Sequence, residues 1–210
     1  MTRRVLLLAV TALALVTVSG CIRGGQAPPP IDEEAIKAGI GAVIHDFEEA
    51  VEAYDVDGML ECLSGSGFKL TLIEDGYSYD KDFATLQSEL EADEQSQLAW
   101  REPEPAGFGY ALDLRLGTQV FSRVTATGAI VTQTHEVYES ATALGISPDS
   151  ALLTDSGEIT WHFAKISGEW KATAMTITFE SGTKLRATAR PSVPVSRGFG
   201  FGAGVPGLGH

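Results

Sequence analysis

The sequence predicts an α+β domain: a cone-shaped, curved antiparallel sheet with N-terminal helices packed on its concave face. Three observations carry that expectation. Ile36, Ile40, Val43, Ile44, Phe47, Val51 and Tyr54 recur at helical spacing. After Pro103 and Pro105 the period becomes strand-like over 108–116, 119–125, 129–140, 158–166 and 169–180. Ser167-Gly168 then separates the last two runs as a two-residue hairpin turn. Helices first and hairpin-linked strands afterwards place the helices on one side of an antiparallel sheet.

The chain opens with Arg3 and Arg4, an apolar run of 14 residues from Val5 to Val18, and a small-residue stretch ending at Cys21. A charged start, a short apolar core and a small-residue cleavage site predict a secretory signal over residues 1–20. The run falls short of the roughly 17–25 residues a membrane span needs. Val18-Ser19-Gly20-Cys21 resembles the lipobox of bacterial lipoproteins. That resemblance implies a diacylglycerol on the Cys21 thiol, cleavage before it, and a domain held to a bacterial membrane outside the cytoplasm. An ordinary signal peptide ending ahead of a cysteine is the plainer alternative.

Residues 21–30, with two glycines and three consecutive prolines, read as a tether. Residues 31–180 have the size of one domain. Residues 181–210 form a tail that from Arg190 onward is Gly-rich and has no core pattern, so disorder is expected there and His210 is not a site candidate. Without residues 1–20, which hold two arginines and no acid, the formal charge moves from −13 to −15. Such a balance excludes nucleic acid and an anionic membrane surface as electrostatic partners, leaving acyl chains to hold the protein to its membrane.

Along the domain, a long first helix ends near Tyr54 and a short second one covers 55–63. A strand over 68–74 turns at Glu74-Asp75-Gly76-Tyr77, helical character returns over 80–100, and the strand run follows. Cys62, beside Met59, Leu60 and Leu63, is expected to be a small buried hydrophobe; no cation nearby in the sequence would activate its thiol.

The stretch from Phe47 to Leu63, a helix running into an Asp turn and a second short helix, resembles the nuclear transport factor 2-like (SnoaL-like) superfamily. So does the stretch from Ser167 to Phe179, with Trp170 opening the final strand. The resemblance spans about 31–180. It implies a cone fold shared by isomerases, dehydratases, cyclases and hydrolases, and by members that only bind small molecules or mediate assembly; fold alone therefore does not give function. For the isomerase type it implies a Tyr two turns before the helix-end Asp and an Asp base on the first strand. Those positions fall at Phe47 and near Thr71, which supply neither an oxyanion donor nor a general base.

Strand parity supplies the remaining candidates. An uninterrupted hairpin pairs His162 with Thr173 and Trp161 with Ala174. One face then carries Thr160, His162, Ala164, Thr173, Met175 and Ile177, the other Ile159, Trp161, Phe163, Trp170, Ala172 and Ala174. His162, His135, Thr160, Thr173, Met175 and Tyr54 are the candidate cavity residues. A histidine that is half exposed, or satisfied by Thr160 or Thr173, is the plainer reading of His162. Trp161, Phe163 and Trp170 form an apolar face that a second subunit would cover, predicting a homodimer. No metal-ligand spacing occurs, and no cofactor is predicted. The expected function is non-catalytic binding of a small apolar ligand or a protein partner. An isomerase-, dehydratase- or hydrolase-type enzyme using His162 and His135, and an envelope assembly module, stand as alternatives.

Overall fold

A computed structural model describes residues 30–180. The expected leader and Cys21, the expected tether up to residue 29, and the expected tail over 181–210 lie outside the described residues.

Helix α1 (Glu33–Ala53) begins where the Asp32 carboxylate accepts the Ala35 N–H at 3.0 Å, with Glu33 and Glu34 in the first turn. Cap and acids both favour a helix N-terminus. It ends at Tyr54, which adopts the left-handed conformation (φ 55°, ψ 41°) and donates its N–H back to the Ala50 and Val51 carbonyls. Tyrosine seldom adopts this conformation. Here its ring is buried, and packing fixes the turn. Asp55 then caps the short α2 (Val56–Glu61) by accepting the Gly58 N–H at 3.0 Å.

Strands β1 (Lys69–Glu74) and β2 (Tyr77–Asp82) form a hairpin through Asp75-Gly76, both at positive φ. Asp82 caps α3 (Phe83–Arg101). The helix expected from residue 80 thus starts later, because residues 77–82 pair with β1 as an exposed edge strand. Strands β3 (Tyr110–Leu116), β4 (Val120–Ser122), β5 (Gly128–Ala141), β6 (Leu152–Ile166) and β7 (Glu169–Phe179) follow. The sheet order is β2-β1-β7-β6-β5-β3, with β4 also pairing β5. All pairs are antiparallel except β1 with β7, so the sheet is mixed. Ile40, Ile44, Phe47 and Val51 of α1 join Leu86 and Leu90 of α3 and the inner face of the sheet in one core. Fully burying side chains of this size stabilises by roughly 1.5–3 kcal/mol each.

The hairpin on which the face assignment rests contains a break. Its turn is as expected, with Ser167 and Gly168 both at positive φ. Pairing runs Ile166–Glu169, Lys165–Trp170, Ala164–Lys171, Phe163–Ala172, and then skips to His162–Ala174 and Trp161–Met175. Thr173 is the extra residue of a β-bulge, and beyond it every side chain of β7 changes face. The expected pairs His162–Thr173 and Trp161–Ala174 are therefore corrected. Met175 and Ile177 lie with Ile159, Trp161 and Phe163 on the inner face, all buried.

This also corrects the proposed subunit interface. Trp161 is only 1 % exposed and meets Phe47 of α1 edge to face, ring centroids 5.2 Å apart. Phe163 stacks on Trp161 at 5.9 Å. Trp170 is half-buried on the same side, and Gly39 lets α1 approach it: a Cβ there would lie 2.9 Å from the Trp170 Cδ1. Trp161 and Phe163 are thus committed to the core and Trp170 is half-buried beside α1, so the three do not form one exposed face for a second subunit.

Candidate functional site in the cone

The bulge divides the predicted cavity residues. Tyr54, His135 and Met175 are buried inside the cone. Thr160, His162 and Thr173 are not: His162 is exposed on the outer face, Thr160 lies 3.3 Å from Thr132 across that face, and Thr173 bonds the His162 carbonyl at 3.1 Å. Thr71, the position of the expected base, is likewise turned outward and donates to Asp80 at 2.7 Å.

The inner face of β5 carries Ala129, Val131, Gln133, His135 and Val137 in alternation. Two of these are polar and both are 3 % exposed. His135 pairs across the sheet with Leu116 and Gly157, and its ring meets Phe179 edge to face at 5.9 Å. Gly157 is needed beneath it. A Cβ at that position would sit 1.9 Å from the Thr178 carbonyl oxygen and 3.0 Å from the His135 Cε1. Four buried polar atoms on the inner face of β5 and β6 have no hydrogen-bond partner: Gln133 Nε2 and Oε1, His135 Nδ1 and Trp161 Nε1. Each such group forgoes about 1–3 kcal/mol.

Burial pushes His135 down to about 4, the Glu180 carboxylate opposing this only in part. At neutral pH it is an uncharged imidazole. A general acid or base works best near the ambient pH, and the other inner groups are further from it. Burial lifts Tyr54 to about 12, and Cys62, buried as expected, to about 11. The apolar part of the cone is closely filled. The cavity bounded by residues including Phe47, Met59, Leu70, Leu86 and Met175 is about 10 Å³.

A second polar group, which the sequence did not single out, closes one end. Arg101 at the end of α3 donates to the Glu52 carbonyl, and its Cζ lies 5.8 Å from both the Tyr54 and Tyr110 ring centroids. Leu114 donates its N–H to the Glu52 carboxylate at 3.0 Å. Burial raises Glu52 and Tyr110 and lowers Arg101. This group links the ends of α1 and α3 to β3. Among the described residues no cluster of metal-ligating side chains occurs and no helix is long and apolar enough to cross a membrane.

No family model and no curated protein matches the chain. Solved structures do. An NTF2-like protein with a cystatin-like fold from Novosphingobium aromaticivorans aligns with TM-score 0.51 at 12 % identity, over 70 % of this chain and 82 % of its own. The fold is nuclear transport factor 2-like. The β subunit of the benzoate 1,2-dioxygenase of Burkholderia mallei aligns with TM-score 0.54 at 9 % identity, over 68 % and 89 %. A Mycobacterium tuberculosis protein of unknown function gives 0.51 at 15 %, over 74 % and 78 %. At these identities the likeness concerns the fold, and the site must be argued from this chain's own residues.

Gln133 was legible in part, since it shares the parity of Val131 and Val137 where an apolar residue belongs. Arg101 was not, because its partner Glu52 lies 49 positions away and no local motif links them.

Proposed function

We propose that the domain is a non-catalytic binding module for a small, neutral, mainly apolar molecule carrying one hydrogen-bonding group. The observation that supports this reading is the patch of Gln133, His135 and Trp161. It holds an amide, an uncharged imidazole nitrogen and an indole N–H, all buried and unpaired, on an otherwise apolar wall. An occupant with a hydroxyl would satisfy both a donor and an acceptor there, whereas a carbonyl would meet only the donors. Uptake displaces side chains, since the cavity in the apolar part of the cone is only about 10 Å³. The depressed pKa of His135 favours binding over the enzymatic alternative. Thermal unfolding with 4-ethylphenol and with ethylbenzene tests the reading. The phenol is expected to raise Tm more than the hydrocarbon, and equal shifts would sink the assigned role of the polar patch.

The lipobox-like segment before Cys21 supports a lipid anchor that places this module outside the cytoplasm at a bacterial membrane. Cys21→Ser is expected to move the protein from membrane to soluble fractions; unchanged fractionation would remove the anchor from the account. For self-association, the surface we propose is the outer face around Ile130, Thr132, Thr160 and Thr176, since Trp161 and Phe163 are committed to the core. Sedimentation of Thr160→Arg is the check, with a dimer for the parent chain and a monomer for the variant expected. A monomeric parent at micromolar concentration would end this part of the proposal.

A further inference from the structure

The charges of the chain are segregated. All 28 acidic residues lie within 31–180, together with eight of the 15 Lys and Arg, giving that domain a formal charge of −20. Residues 181–210 contain no acid and four basic residues, Lys184, Arg186, Arg190 and Arg197. A domain so negative repels itself, and a basic segment joined to it is a tethered counter-charge of high effective concentration.

One surface groove suits that segment. It is about 420 Å³ and lies between α1, α2 and the start of β7, with Val43, Ala50 and Trp170 lining its apolar part and Asp46, Glu49 and Glu61 contributing carboxylates. Lys171 is the basic residue among those lining it; its ammonium donates to the Glu61 carbonyl at 2.7 Å and pairs with Glu169 at 3.4 Å, and it makes no ion pair with the Asp46, Glu49 or Glu61 carboxylates within 4.0 Å. The Glu49 carboxylate lies 3.4 Å from His45 Nε2, whereas no side-chain ion pair within 4.0 Å engages Asp46 or Glu61 among the described residues. The Trp170 ring already has a cation near it, Lys165 Nζ at 5.8 Å from the centroid. An arginine over an indole beside carboxylates gains from both cation–π attraction and a charge-assisted fork.

We propose that the C-terminal segment 181–210 of this chain docks in this groove through Arg190 and Arg197, with Phe199 against its apolar part. Chain geometry selects those two arginines. From Lys171 to Glu180 strand β7 runs about 30 Å away from the groove at roughly 3.3 Å per residue. An extended chain leaving Glu180 covers at most about 36 Å by Arg190 and about 60 Å by Arg197. Lys184 and Arg186, at most about 14 Å and 22 Å along, fall short. The proposal is independent of the ligand reading above, since no residue of the inner patch lines the groove.

The test uses the full chain carrying Cys21→Ser, with a nitroxide attached at Ser196→Cys. Cys62 is buried and its thiol is held protonated, so labelling falls on the new cysteine. The expected result is paramagnetic loss of the Trp170 indole resonance. Its recovery is expected in Asp46→Asn/Glu61→Gln, in Arg190→Ala/Arg197→Ala, and in about 0.5 M salt, where the Debye length is only about 4 Å. Lys184→Ala/Arg186→Ala is expected to leave the loss in place. An unaffected Trp170 resonance, or a loss that persists when the charges are removed, would overturn the proposal. So would equal loss when the label sits on a second, isotopically silent chain, because the segment would then dock between copies.

Discussion

Replacing Gln133 with Met separates a functional patch from an ordinary buried amide. The side chain is 3 % exposed, and neither its nitrogen nor its oxygen finds a partner. Methionine fills nearly the same volume with an unbranched, adaptable chain, so packing changes little. The substitution removes an unmet hydrogen-bonding demand of about 1–3 kcal/mol from the ligand-free domain. For a domain of this size each kcal/mol moves Tm by about 2–4 °C, so a rise of about 2–12 °C is expected. Scanning calorimetry on protein stripped of carried molecules in denaturant and refolded is the assay. The same variant should lose the extra shift that 4-ethylphenol gives the parent. A more stable, less responsive variant is the signature of a site held for function at a cost in stability. A lower Tm for Gln133→Met without ligand would refute the reasoning, because it would mean the amide is satisfied in the native domain.

Two further outcomes follow from the same wall. His135 has a folded pKa near 4 against an unfolded value near 6.5, so the unfolded chain binds the proton more readily. Its contribution to stability is complete above about pH 6.5 and is lost as the pH falls toward 4, amounting to about 3 kcal/mol at most. His135→Leu should flatten the Tm profile over that window relative to the parent, and parallel profiles would contradict the assigned burial. Gly157→Ala places a methyl against the Thr178 carbonyl and the His135 ring. A loss of about 1–3 kcal/mol or more is expected by urea unfolding, and an unchanged midpoint would show that the sheet does not approach so closely there.

Much of the fold was legible because local chemistry and tertiary structure agree. The Ile40, Ile44, Phe47, Val51 stripe became the buried side of α1, and Ser167-Gly168 became the hairpin turn. The bulge was not legible. Thr173 and Ala174 are both small and fit either face, so nothing in the sequence marks the skipped residue, yet that one position moved Met175 and Ile177 across the sheet. Parity also groups residues without saying which group the helices cover. That is why Trp161 and Phe163 were assigned outward, although Phe47 of α1 packs on Trp161. Strand β2 escaped notice for another reason: its one short alternation, Tyr77-Ser78-Tyr79, has both tyrosines exposed, charged residues follow it, and pairing with β1 defines the strand. At the site, His135 was readable from its strand, while its meaning depended on burial and on the unpaired neighbours Gln133 and Trp161.

The central claim is that the wall formed by Gln133, His135 and Trp161 holds a hydrogen-bonding group of a small neutral molecule. The most direct measurement is the Trp161 indole Nε1–H resonance, followed as 4-ethylphenol is added and again with ethylbenzene. The account predicts a saturable downfield shift with the phenol that neither ethylbenzene nor the Gln133→Met variant reproduces. An indole proton that stays in place with the phenol, or moves alike with both compounds, would contradict it.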